Sequence, residues 1–396
     1  MRILLAAALV PWVACQAEPA PAAPPRALDG VAELDQPLSD LSSQCSYAAG
    51  TGALTLALVA GDVAMLSRLA SGAIAVNGIA CGAATATNVR QLTIRGDAGD
   101  QTVILDYSAG VFGRGSAAGV GTAIDLGAGT DTVKLVGTNG ADRFTAGTAG
   151  LALDADAYLD VTAAQVEVLV VNLDDGNDTF SGMGSAVTGA PCAQALAIYG
   201  AGGDDVLTGG AGDDQLYGGA GDDVLRAGAT GDGADLLSGG DGNDRIYGGA
   251  GNDLLIGGPG DDLLSGDAGD DDFAMGAAAA GNDRILGGAG LDTVDYGART
   301  GALVVVMDGV TPGGEAGEAT AIGADVERLR GGAGDDDLTG NALDNLLEGG
   351  GGDDHLRGLA GDDVLDGGIG ADTLDCGSGQ GDIDLDPSDL GAGCER

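Results

Sequence analysis

The chain has 396 residues, 77 of them Gly and only 3% aromatic, so any core must be thin and built from aliphatic side chains. With 44% hydrophobic residues it is too apolar for a disordered acidic polymer. A net charge of -45, with Lys134 the only lysine, excludes nucleic acid as a partner, repels anionic lipid and attracts cations.

Residues 1–14 place Arg2 before the apolar run 3–10, the order of a secretory signal peptide, which takes no part in the fold. Val13-Ala14-Cys15 is similar to a bacterial lipobox, although Trp12 stands where Leu is usual. Cys15 is therefore a candidate lipid anchor, with cleavage near Ala17 as the alternative. Either route leads to the extracellular space or the outer cell surface, and no other segment is long and apolar enough to span a bilayer. A Pro/Ala stretch at 17–27 makes 15–44 a stiff linker. Five cysteines remain beyond Cys15. Export permits disulfides, and the natural local pairs are Cys45 with Cys81 and Cys376 with Cys394, leaving Cys192 over.

Residues 45–195 are rich in Val, Ile, Thr and Gly, and alternation predicts strands near 89–94, 103–106 and 166–171. Imperfect Gly/Asp units lie between them at 96–103, 127–133, 137–144 and 176–180, so a repeating plan is expected to begin in this region. From Gly200 the period is strict. Gly209-Gly210-Ala211-Gly212-Asp213-Asp214-Gln215-Leu216-Tyr217 is followed at once by Gly218-Gly219-Ala220-Gly221-Asp222-Asp223-Val224-Leu225-Arg226. This block spans 196–295, with three-residue insertions around 229–233 and 277–280. Residues 296–330 form a spacer with two predicted strands, near 303–307 and 326–329, around a Gly/Glu-rich turn. A second block fills 331–375, and 376–396 read as a disulfide-closed cap.

Each unit has six turn formers followed by three strand formers, so two units, or eighteen residues, make one coil. Strand alternation points the eighth position inward and the seventh and ninth outward. The eighth positions are Leu207, Leu216, Leu225, Leu237, Ile246, Leu255, Leu264, Phe273, Ile285, Val294, Leu338, Leu347, Leu356, Leu365 and Leu374, all apolar. The predicted fold is all-β: a parallel β-roll, or β-solenoid, of nonapeptide repeats with a β-rich, degenerate-repeat N-terminal region.

All but eight of the 61 acids are Asp, and they fall in phase with glycine, which a merely solvated acidic surface does not require. The sixth position supplies Asp205, Asp214, Asp223, Asp235, Asp244, Asp253, Asp262, Asp271, Asp283, Asp292, Asp336, Asp354, Asp363 and Asp372, with Asn345 the exception. Stacked coils align these carboxylates in two columns, with neighbours about 4.8 Å apart, where like charges repel by about 1 kcal/mol in water and more at lower dielectric. A hard cation relieves this. Calcium accepts six to eight oxygens in flexible geometry, whereas magnesium demands a tight octahedron.

The unit resembles the RTX, or hemolysin-type, calcium-binding repeat. The resemblance is strong over 200–295 and 331–375 and weak over about 96–181. It implies a parallel β-roll with each calcium held between successive turns by the sixth-position Asp and backbone carbonyls. At 340–348 Leu343 replaces the fourth-position glycine and Asn345 the Asp, so a site is expected to be weakened there. An N-terminal signal and cysteines set the chain apart from RTX toxins.

No catalytic constellation stands out. The single histidine, His355, is at an outward seventh position, and neither His-Glu-x-x-His nor Gly-x-Ser-x-Gly occurs. The run 382–389 looks like an EF-hand loop but lacks its glycine and final glutamate, and reads better as an acidic cap. Tyr217 and Tyr247 are expected to pack outward on the strands. The expected role is a non-enzymatic, calcium-folded exported protein serving as a structural, surface or adhesive component. The alternatives are a secreted enzyme or toxin with its active region in 45–195, and a passive calcium buffer.

Overall fold

The computed structural model describes residues 41–110, 121–147, 149–153, 160–164, 166–228, 233–277, 281–379, 381–385, 390–392 and 394. The signal peptide, Cys15 and most of the 15–44 linker lie outside the described residues, as do parts of both three-residue insertions. Apart from one 3-10 turn at Ser42–Gln44, every regular element among the described residues is a strand. No helix among them is long and apolar enough to cross a membrane.

The strands stack as a solenoid of 14-, 16- and 5-stranded sheets. Register follows the repeat arithmetic. Leu207 pairs with Leu225 eighteen residues on, Leu225 with Ile246 across an insertion, and Ile246 with Leu264. An insertion lengthens a coil without shifting its register, so the inward face stays apolar. All fifteen eighth-position side chains are at most 1% exposed, and burying each stabilises by about 1.5–3 kcal/mol.

The stack begins well before the strict repeats. Ala53–Ala57 pairs in parallel with Gln91–Arg95, and Thr102–Asp106 lies between Val63–Arg68 and Thr132–Val136. Val168–Asn172 then joins Leu196–Gly202 in the same sheet as the repeats. Two of the predicted strands are displaced by one or two residues, because the turns before them take up the first residues.

Most turn positions two and four use left-handed backbone. Gly219 has φ 116° and Gly221 φ 136°, and a Cβ on Gly221 would lie 2.2 Å from the Gly203 carbonyl oxygen. At three second positions that are not glycine the conformation persists at a cost. Ala201, Asp267 and Leu359 have φ 81°, 69° and 79°, each straining the chain by about 1–2 kcal/mol.

Both ends are closed. At the N-terminal end Cys45–Ala48 forms a hairpin on one sheet and Ile79–Thr85 ends the other, and the Cys45–Cys81 disulfide joins these edges. The two edge strands are thereby tied to each other. At the other end Cys376–Cys394 closes an 18-residue loop across adjacent coils, contributing about 3 kcal/mol. Cys192 is free and buried, and burial pushes its thiol up to about 11. On the outer faces Tyr199 stacks on Tyr217 at 4.9 Å, and Arg226 lies over Tyr247.

The spacer departs from the simple two-strand reading. Val304–Val306 starts the five-stranded sheet, Ala321–Ile322 returns to end the 14-stranded sheet, and Arg328–Arg330 rejoins the 16-stranded one. One sheet therefore runs through both blocks while the opposite face is broken. At the break Arg299 is fully buried, with Nη2 2.7 Å from Glu318 and Nη1 3.3 Å from Glu315. The Arg299 Nη2 also donates to the Met275 carbonyl at 2.9 Å.

Candidate metal centre

The turns bring the sixth-position carboxylates into rows along the solenoid. Asp205, Asp223, Asp244, Asp262 and Asp283 follow one another on one side, one per coil. Asp214, Asp235, Asp253, Asp271 and Asp292 line the other side, where Asp363 continues the row in the second block. Asp336, Asp354 and Asp372 form a separate third row beside the five-stranded sheet. The expected two columns are thus three, because the break at 296–330 interrupts one face. All fourteen Asp are at most 6% exposed.

Each row is a hydrogen-bonded ladder. The Asp205 N–H donates to Asp223 Oδ1 at 2.7 Å, Asp223 N–H to Asp244 Oδ1 at 2.8 Å, and Asp244 N–H to Asp262 Oδ1 at 2.8 Å. The opposite side repeats this from Asp214 to Asp292 at 2.6 to 3.0 Å. One oxygen per carboxylate is therefore satisfied. The other is not. The Oδ2 atoms of Asp205, Asp223, Asp244, Asp253, Asp262, Asp271, Asp292, Asp354, Asp363 and Asp372 are buried with no hydrogen-bond partner. An ionised oxygen buried in this way is costly unless a cation or a proton joins it.

Glycine at the first position makes room for that oxygen. A Cβ on Gly218 would lie 2.2 Å from Asp223 Oδ2 and 2.6 Å from the Gly239 carbonyl oxygen of the next coil. Carboxylate and carbonyl oxygens thus converge where no side chain intrudes. Among the described residues no three His, Cys, Asp or Glu side chains cluster closely enough to hold a metal alone. An ion here must share carboxylates with carbonyls, and that all-oxygen donor set fits a hard cation such as calcium.

The electrostatics agree. Burial is the largest cause raising the carboxyl of Asp223 to about 8 and those of Asp205, Asp214, Asp253, Asp262 and Asp292 to about 7. Backbone N–H donation from the preceding coil opposes it, and neighbouring carboxylates add to it.

Several participants escaped the sequence reading. The fifth position forms a second ladder in the opposite sense: Asp222 N–H donates to Asp204 Oδ1, Asn243 N–H to Asp222 Oδ1, and Asp261 N–H to Asn243 Oδ1, at 2.8 to 3.1 Å. Its signal is visible in retrospect, since only Ala234, Leu291 and Ala371 are neither Asp nor Asn at this position. Leu291 and Ala371 lie in the last units of their blocks and use only their N–H groups. Asp382 extends the second row, accepting the Asp363 N–H at 3.0 Å and lying 2% exposed. One extra residue in its turn takes this unit out of the strict period, so Asp382 continues the row instead of lying in the expected acidic cap or EF-hand-like run, and 386–389 lie outside the described residues.

The coil at 340–348 is closed differently. Asn341 N–H donates to Asn345 Oδ1 at 2.7 Å, and the Asn345 amide donates to Asn341 Oδ1 and the Glu327 carbonyl. Glu327 in turn accepts the Asp292 N–H at 3.0 Å. A neutral amide thus takes the place of one carboxylate, while the Asn345 N–H still donates to Asp363 Oδ1 at 2.8 Å. His355 sits on the outer face, with Nδ1 2.9 Å from Arg357 Nη2 and 4.0 Å from Asp337.

A family model described as the RTX calcium-binding nonapeptide repeat (four copies) matches residues 199–230, 229–264, 248–279, 276–298, 323–347 and 339–374. The chain carries RTX repeats. Calcium is the ion that RTX repeats bind, and the convergent oxygens described above give a physical reason. The RTX match stops short of 299–322, where the sheets change over, and does not extend to the earlier coils. No curated protein matches the chain.

Proposed function

We propose that the chain is an exported, non-enzymatic protein whose RTX blocks complete their fold on extracellular calcium, and that it serves as a structural, surface or adhesive component. In this reading the fourteen sixth-position Asp, from Asp205 to Asp372, are the carboxylate ligands, joined by turn carbonyls. The observation that carries it is the row of buried Oδ2 atoms without hydrogen-bond partners. Calcium bound only by the folded state supplies folding free energy, about 2.7 kcal/mol per site at a hundredfold excess over Kd. Cytosolic calcium is too scarce for a weak site, so folding awaits export. Residues 45–195 continue the same sheets and the same aliphatic interior as the repeats, which supports one structural body over a catalytic unit with a repeat tail.

The test is a titration of the purified chain with calcium and, separately, magnesium, followed by far-ultraviolet circular dichroism. A cooperative, calcium-specific gain of β-signal at about 0.1–1 mM is expected. Binding without gain of β-structure would instead indicate a passive buffer, and no binding would sink the reading.

A further inference from the structure

The ladder of one Asp row continues beyond the RTX match into coils with little of the repeat's glycine. Asp178 N–H donates to Asp205 Oδ1 at 2.7 Å, and Asp142 N–H donates to Asp178 Oδ1 at 2.6 Å. Asp178 is 1% exposed, and its Oδ2 is buried with no hydrogen-bond partner. This is the arrangement found at Asp205 and Asp223, built here on a unit in which Leu173, Asp174 and Asp175 replace the first three residues. Leu173 stands at the first position, which is glycine in most matched repeats, while the fourth-position glycine is kept: a Cβ on Gly176 would lie 2.9 Å from Asp178 Oδ1 and 3.1 Å from the Gly140 carbonyl oxygen.

Asp174 holds the left-handed second position at φ 68°, as Asp267 does at φ 69° in a strict repeat, where most repeats have glycine. Its charge is felt by both Asp142 and Asp178, whose carboxyls burial and neighbouring carboxylates push upward. A third carboxylate therefore lies near Asp142 and Asp178, held there at a cost in backbone strain.

We infer that a calcium ion binds at Asp178, between the coils of 137–142, 173–178 and 200–205, with Asp174 as an added carboxylate and turn carbonyls completing the oxygen set. Side chains alone do not suffice, as in the matched repeats. The site lies outside every matched segment, where units spaced irregularly, with few glycines, conceal the ladder. It rests on the reading of the Asp rows as calcium ligands.

Equilibrium dialysis of the full chain counts bound calcium for wild type, Asp178→Asn, Asp174→Asn and, in a matched repeat, Asp223→Asn. Asn keeps the Oδ1 acceptor of the ladder and removes the charged second oxygen, so the coil has the means to stay folded. Asp178→Asn is expected to lose at least one ion per chain, as is Asp223→Asn, and Asp174→Asn is expected to weaken the same ion at least severalfold. Loss with Asp223→Asn but none with Asp178→Asn overturns this site and leaves the row reading intact. No loss with either overturns the row reading itself. Hydrogen exchange on the wild-type chain covers the case of a misfolded variant: calcium is expected to slow amides of 137–147 and 173–181, and no slowing there rejects the site.

Discussion

With calcium removed, acidification is expected to restore β-structure to the repeat blocks that neutral pH has cost them. Carboxyls such as Asp205, Asp214 and Asp253 stand at about 7 in the folded chain and Asp223 at about 8, against 3.8 when unfolded. The folded state therefore binds more protons than the unfolded one between these limits. The stability this contributes is fully present below the ordinary carboxylate range and is lost as pH rises through about 6 to about 8. Each extra proton held by the folded state steepens the loss by about 1.4 kcal/mol per pH unit. Calcium favours the ionised carboxylates and is expected to flatten the dependence. Circular dichroism of calcium-free protein across this range checks it, and a β-signal that rises with pH would contradict the buried rows.

The second large effect is expected at the break between the blocks, where an organic cation does what calcium does elsewhere. The Arg299 and Glu318 side chains are both fully buried, and Glu315 lies 22% exposed. The surrounding loop is organised by the same carboxylates: Gly301 N–H donates to Glu315 Oε1 and Glu315 N–H to Glu318 Oε2. Arg299→Met removes the guanidinium and leaves Glu318 buried without it, which is expected to cost about 3–5 kcal/mol. The double variant Arg299→Met/Glu318→Gln is expected to recover part of that. Urea unfolding in saturating calcium measures both, and a loss below about 1 kcal/mol would mean that the pair is solvated or replaceable.

The two arguments mark what the sequence made legible. Strict nine-residue spacing was enough to place Leu216, Leu225 and their equivalents inside and the sixth-position Asp in rows, because register in a parallel stack follows from length alone. The disulfides were legible from chain proximity instead, since with Cys15 set aside Cys45 and Cys376 each have one partner near in the chain. Where spacing is irregular the rows are only partly legible: Asp178 falls in an imperfect unit at 176–180 whose place in the ladder spacing does not give, and one extra residue hides Asp382. The fifth-position ladder was overlooked because Asp and Asn there look like ordinary turn residues. The changeover at 296–330 could not be foreseen from local pattern: its strands are short, and the partner of Arg299 is set by how the loop returns to the sheet.

The most direct test of the account is hydrogen exchange of the whole chain with and without calcium near neutral pH. Calcium is expected to slow amides of 200–228 and 349–375 by at least about tenfold, equivalent to about 1.4 kcal/mol of local stability. Amides of the Arg299 loop and the Asn341–Asn345 coil are expected to be slow already without it. Slowing spread evenly over all coils, or no slowing in the RTX blocks, would contradict calcium as the ion that joins the Asp rows.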